Sequence, residues 1–160
     1  MSAVMDMWST EAAGEMMSLL VGREVSVALA PPMVLARAPA WIGVYETREG
    51  DLGGLFLADL PFAVYASSAL SLVPASESAS VLEQRFLPVA LEDNLAEIFN
   101  VSSRLFSRPS VPRAKYTQTV CYPTRLSAGW LDCLLRPGKR VDFEANIHGY
   151  GAGCMTLILP

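Results

Sequence analysis

Histidine, cysteine and charge are all scarce in this chain. One histidine in 160 residues excludes a multi-histidine metal centre within one chain. The three cysteines (Cys121, Cys133, Cys154) form no CxxC and cannot all pair with one another. A domain of this length can bury roughly 70% of its unfolded surface, so it needs no disulfide or metal staple. Charged residues make up only 18%, the net charge is −4 and the pI is about 5.0, which argues against a nucleic-acid partner. The opening MSAVMDMWSTEAAGEMM lacks a basic region ahead of an apolar stretch and does not read as a signal peptide. The most apolar long stretch, LFLADLPFAVYASSALSLVP, is interrupted by Asp59, Pro61 and serines, too polar to span a bilayer. The expectation is a reduced, cytoplasmic protein with no membrane segment.

What is plentiful is apolar: 52% of residues are hydrophobic, and the mean hydropathy is +0.33. That excludes a disordered chain and predicts one domain, residues 1–160, with a heavy core. Periodicity places an amphipathic helix over Asp6 to Val21, with Trp8, Ala12, Met16 and Leu19 on one face and Glu11, Glu15 and Ser18 on another. Strands follow at EVSVALA, AWIGVYET and GGLFLAD. Pro61 opens a helix, PFAVYASSALSLV, and ASESAS reads as a surface loop. A second long helix is predicted from Leu87 to Ser107, then a strand at KYTQTVCY and a short helix at SAGWLDCLL. RVDFEANI and CMTLILP close as a hairpin around HGYGAG.

The two halves share this order. Helix and three strands occur in the half-repeats 6–74 and 88–160, each copy carrying a glycine-led apolar string, GLFLADLP and GCMTLILP. The repeat predicts a pseudo-twofold α/β domain. Charge divides the halves differently: residues 1–103 carry a net −9 and residues 104–160 a net +5, a distribution open to two readings, steering of an acidic partner to the second half or, more commonly, a solvated surface.

At 100° per residue the second long helix sorts into two sides. Leu91, Leu95, Ile98, Phe99, Leu105 and Phe106 form the apolar one. Asp93, Glu97, Asn100 and Arg104 form a stripe opposite. Solvated stripes are common, but asparagine is a poor mid-helix residue, and the chain has only three.

Asp93-x3-Glu97-x2-Asn100, followed after 22 residues by Pro123, resembles the signature of the CheC/CheX/FliY family of chemotaxis phosphatases. The first helix has Glu11, Glu15 and Ser18 at the same spacing, with Trp41 where the proline would fall. One intact motif per chain is most similar to CheX. The resemblance implies a mixed α+β, pseudo-twofold domain with a mainly antiparallel sheet and the two long motif helices packed on it. It also implies hydrolysis of the aspartyl phosphate of a CheY-like response-regulator receiver domain. Asn100 would hold the attacking water, Glu97 would meet the receiver's active-site lysine, and Asp93 and Pro123 would support them. The protein would need no cofactor or metal of its own, since the receiver supplies Mg²⁺. A homodimer joined through strands is a further implication. The alternative on the same fold is a non-catalytic docking module resembling the flagellar switch protein middle domain.

Overall fold

The computed structural model describes residues 8–35, 39–107, 113–123 and 126–160. Helix α1 (Thr10–Val21) starts at Ser9, whose hydroxyl accepts from the Ala12 N–H, and stops at Gly22 in the left-handed region at φ 74°. The expected start at Asp6 lies outside the described residues. Strands β1 (Val25–Leu29), β2 (Ala40–Thr47) and β3 (Leu52–Asp59) follow. Asp59 then caps α2 (Leu60–Leu70), where Pro61 occupies the first turn.

ASESAS, expected as a loop, instead belongs to helix α3 (Ala75–Glu83). Serine is a weak helix former, but Ser78 is fully buried, and Val81 and Leu82 pack against the main core. Tertiary contact overrides the local preference here.

The second long helix is also shorter than its periodicity predicts. Helix α4 (Val89–Val101) is α-helical, and residues Ser102–Phe106 tighten into a 3-10 turn. Ser102 Oγ donates to the Ile98 carbonyl at 2.7 Å, a local bond that competes with regular helix geometry. Strand β4 (Ala114–Tyr122), helix α5 (Ala128–Leu135) and strands β5 (Lys139–Ile147) and β6 (Gly151–Leu159) complete the order.

All six strands form one antiparallel sheet in the order β1-β5-β6-β3-β2-β4. Exchanging β1, β2 and β3 with β4, β5 and β6 turns that order into its own reversal. The pseudo-twofold axis therefore passes between β3 and β6, where Phe56 faces Leu157 and Leu57 faces Thr156. Each half lends its first strand to the other: β1 pairs with β5, and β4 pairs with β2.

Helices α1, α2 and α4 cover one face over the larger core, which includes Met17, Phe56, Phe62, Phe99, Phe143 and Leu157. Burial of each such aromatic or aliphatic side chain contributes about 1.5–3 kcal/mol. Helix α2 lies centrally, packing on β6 and α4. The opposite face holds a smaller cluster in which Ile42, Val44, Leu55 and Ile158 meet Cys133 and Leu134 of α5. Trp8 ties the halves together: its indole N–H donates to the Leu105 carbonyl at 2.9 Å, and its ring meets Phe106 edge-on.

Candidate functional site

Helix α4 lies as its apolar pattern predicts. Leu91, Leu95, Ile98, Phe99, Leu105 and Phe106 are buried, while Asp93, Glu97, Asn100 and Arg104 are exposed. Two contacts fix the end that carries Asn100. The buried Tyr45 hydroxyl donates to the Phe99 carbonyl at 2.6 Å, satisfying an acceptor in the last helical turn. Gly43 lets the helix approach the sheet, since a Cβ there would sit 2.7 Å from Phe99 Cγ. Asn94, on the same helix, donates to the Ser67 carbonyl at 3.0 Å and to Ser71 Oγ at 2.8 Å. It locks α4 to α2.

Asn100 has no such structural employment: neither its carboxamide nor the Glu97 carboxylate has a hydrogen-bond or ion-pair partner among the described residues. The pair lies three residues apart, so the side chains are neighbours on one helix face. Asn100 occupies the penultimate α-helical position rather than mid-helix, where its intrinsic cost would be larger. It lines a groove of about 420 Å³ with Ser103, Arg104, Arg113, Lys115 and Tyr116. Ser103 Oγ accepts from the Tyr116 N–H at 3.1 Å, closing the junction between the 3-10 turn and β4.

Pro123 follows β4 and is exposed, after a cis Tyr122–Pro123 bond. It stands towards the opposite end of α4 from Asn100: the thiol of Cys121 is raised by burial and by the charge of Glu92, in the first turn. Asp93 belongs to that same end of the helix. The structure thus brings Glu97 and Asn100 together and leaves Asp93 and Pro123 one to two turns away.

The corresponding face of α1 is built differently. Ser18 Oγ accepts from the Val25 N–H at 2.9 Å and so ties helix to strand. Glu11, Glu15 and Glu24 line the groove beside it. Among the described residues there is no group of three or more His, Cys, Asp or Glu side chains arranged to hold a metal ion. Cys133 is pushed up to about 11 by burial and by Asp132. Cys154 is pushed up to about 11 by burial and by Asp59, Glu144 and Asp142. Both stay as thiols at neutral pH, unsuited to nucleophilic work. No helix of the described residues is long and apolar enough to cross a membrane.

Sequence reasoning missed three parts of this arrangement: Tyr45, Asn94 and the gathering of Ser103, Arg113 and Lys115 around Asn100. Only Asn94 carried a visible signal, as another of the chain's three asparagines.

No family model and no curated protein sequence matches the chain. Solved structures do. The FliM–SpeE complex from H. pylori aligns with a TM-score of 0.63 at 11% identity, covering 99% of this chain and 84% of that one. The FliM middle domain from H. pylori aligns at 0.57 and 14% identity, covering 94% and 84%. Thermotoga maritima FliY aligns at 0.52 and 11% identity, covering 92% and 81%. At these identities the likeness is one of architecture, and the chain has the mixed α+β fold shared by the FliM middle domain and FliY.

Proposed function

We propose that this protein hydrolyses the aspartyl phosphate of a response-regulator receiver domain, using Glu97 and Asn100 of α4. The observation that carries the reading is the carboxamide of Asn100, which has no hydrogen-bond partner among the described residues. Asn94 on the same helix is consumed by packing, whereas Asn100 stands exposed beside Glu97 at the end of a helix anchored from below. A carboxamide offers both a donor and an acceptor. It can therefore hold a water in line with the phosphorus and opposite the aspartate leaving oxygen, as a glutamine does in GTPases. The receiver brings its own Mg²⁺ and lysine, and Glu97 pairs with that lysine, fixing the register of the two proteins. Asp93 supports from the rim. Pro123 shapes the surface at the far end of α4.

The test is single-turnover phosphate release from a magnesium-loaded phospho-receiver. Asn100→Ala is expected to slow release by about a hundredfold with folding unchanged. Glu97→Ala is expected to weaken the encounter instead. Ser18→Ala is the control: it removes the tie to Val25, costs about 1 kcal/mol of stability and leaves turnover unchanged. Wild-type release by Asn100→Ala, across receivers that the parent protein accelerates, refutes the assignment. A second reading, a non-catalytic docking module, draws on the likeness to FliM middle domains. It predicts receiver binding with no acceleration of phosphate loss.

A further inference from the structure

We propose that Arg104, Arg113 and Lys115 form an anion seat beside Asn100 that recognises the phosphorylated, acidic face of a protein partner. The inference rests on the reading of Asn100 above, but it concerns recognition rather than hydrolysis. All three cations are exposed and line the groove that holds Asn100. None has an ion-pair partner among the described residues. An adjoining groove shares Arg113 and Lys115 and adds Arg48. Two carboxylates lie near. Glu46 faces Lys115 across the β2–β4 pair and accepts from Thr117 Oγ1 at 2.9 Å. Glu97 is one turn back along α4.

The pseudo-twofold partner of this groove gives the comparison that carries the argument. Between α1 and β1 the corresponding helix-to-strand groove, with a short link in place of the 3-10 turn, is lined by Glu11, Glu15 and Glu24, with no cation in its lining. Ser18 on the first helix stands where Asn100 stands on the second, and its hydroxyl is engaged by the Val25 N–H. The two grooves carry opposite charge, and the positive one holds Asn100.

Unpaired like charges repel one another in the free protein and are relieved by an anionic ligand. Cations at the rim of a site act chiefly on the association rate and its salt dependence. The seat would draw in the phosphoryl-bearing face before Asn100 and Glu97 engage it, and the acidic groove of the first half would repel the same face. One chain then offers one productive docking geometry.

The experiment uses the full chain and receivers loaded with magnesium and beryllofluoride, mixed by stopped flow between low and physiological salt. Association of the parent protein is expected to slow as salt rises. In Arg113→Glu/Lys115→Glu it is expected to be at least tenfold slower at low salt, with the salt dependence flattened. Phosphate release is read separately, from a saturating magnesium-loaded phospho-receiver, and Glu11→Gln/Glu15→Gln should not slow association. If the charge-reversed chain does not fold, Arg113→Gln/Lys115→Gln replaces it, with about half the effect on the logarithm of the rate. Wild-type association by the variants, or no association by the parent protein with any receiver, overturns the seat. Salt-dependent association without phosphate release overturns the catalytic reading and leaves the seat standing. Complete displacement of the receiver by millimolar inorganic phosphate alone would assign the groove to free phosphate and overturn the protein-face assignment.

Discussion

The hydroxyl of Tyr45 donates to the carbonyl of Phe99, joining the middle of β2 to the helical residue that immediately precedes Asn100. The tyrosine ring is fully buried and stacks on Phe106 at 4.1 Å, and burial raises its pKa well above the ordinary value, with Tyr116 adding to the shift. The phenol therefore remains a proton donor across the working pH range. Tyr45→Phe keeps the packing and strands the carbonyl. The expected loss is about 1–2 kcal/mol in urea unfolding, with a several-fold drop in receiver dephosphorylation as the end of α4 loosens. Unchanged stability would remove the anchor from the account.

Gly43 sets the height of the same helix. A methyl group at this position meets Phe99 Cγ at 2.7 Å and Cδ2 at 2.9 Å, so Gly43→Ala is expected to cost about 1–3 kcal/mol through overpacking. Pairing it with Phe99→Leu should recover part of that loss, which a double-mutant cycle in urea measures as coupling. Additive losses would show that the two positions do not oppose each other.

Two half-buried carboxyls respond to acid with opposite sign. Asp59 accepts from the Phe62 and Cys154 N–H groups at 2.9 and 3.0 Å, yet burial raises its pKa from 3.8. The folded chain thus takes up this proton before the unfolded chain does. Asp59 adds stability as pH falls through the window between its folded pKa and 3.8. For Asp142, burial also pushes upward, but hydrogen bonds from Arg140, Thr156 and the Met33 N–H outweigh it and hold the group below 3.8. Its contribution is present above that value and is lost as pH falls through the folded pKa. Asp59→Asn keeps the acceptor. The stability difference between it and the parent protein should shift in the parent's favour on going from pH 7 to pH 4.5. A pH-independent difference in urea midpoints would contradict the sign.

Both ends of the sheet, β1 and β4, are edges, and Leu29 on β1 is 72% exposed. Open edges of this kind favour pairing with another strand. We expect a homodimer joined through strands, read as a doubled mass by light scattering at tens of micromolar. A strict monomer at that concentration contradicts it.

Much of this architecture was legible in the primary structure, for identifiable reasons. Alternation in AWIGVYET and 3.6-residue periodicity from Leu91 to Phe99 are local signals, and both elements form where expected. The repeated glycine-led strings pointed to β3 and β6, which pair at the pseudo-twofold axis. Two features depend on contacts distant in sequence, and a third on a local side-chain bond that periodicity does not show. Helix α3 forms where Val81 and Leu82 pack against the main core. The α-helical run ends at Val101 as Ser102 bonds back to Ile98. Arg113 and Lys115 reach Asn100 only because β4 starts beside the end of α4. No periodicity in a single segment encodes such meetings.

The exchanged edge strands carry a consequence for ancestry. A half-length chain of one helix and three strands could not close this sheet alone, because its first strand pairs only with the other half. Two such chains, each giving its edge to the other, would build the whole layout as a symmetric pair with two identical grooves. Joining them in one polypeptide removes the obligation to stay identical. A single chain can therefore carry an acidic groove on one half and a basic one beside Asn100 on the other.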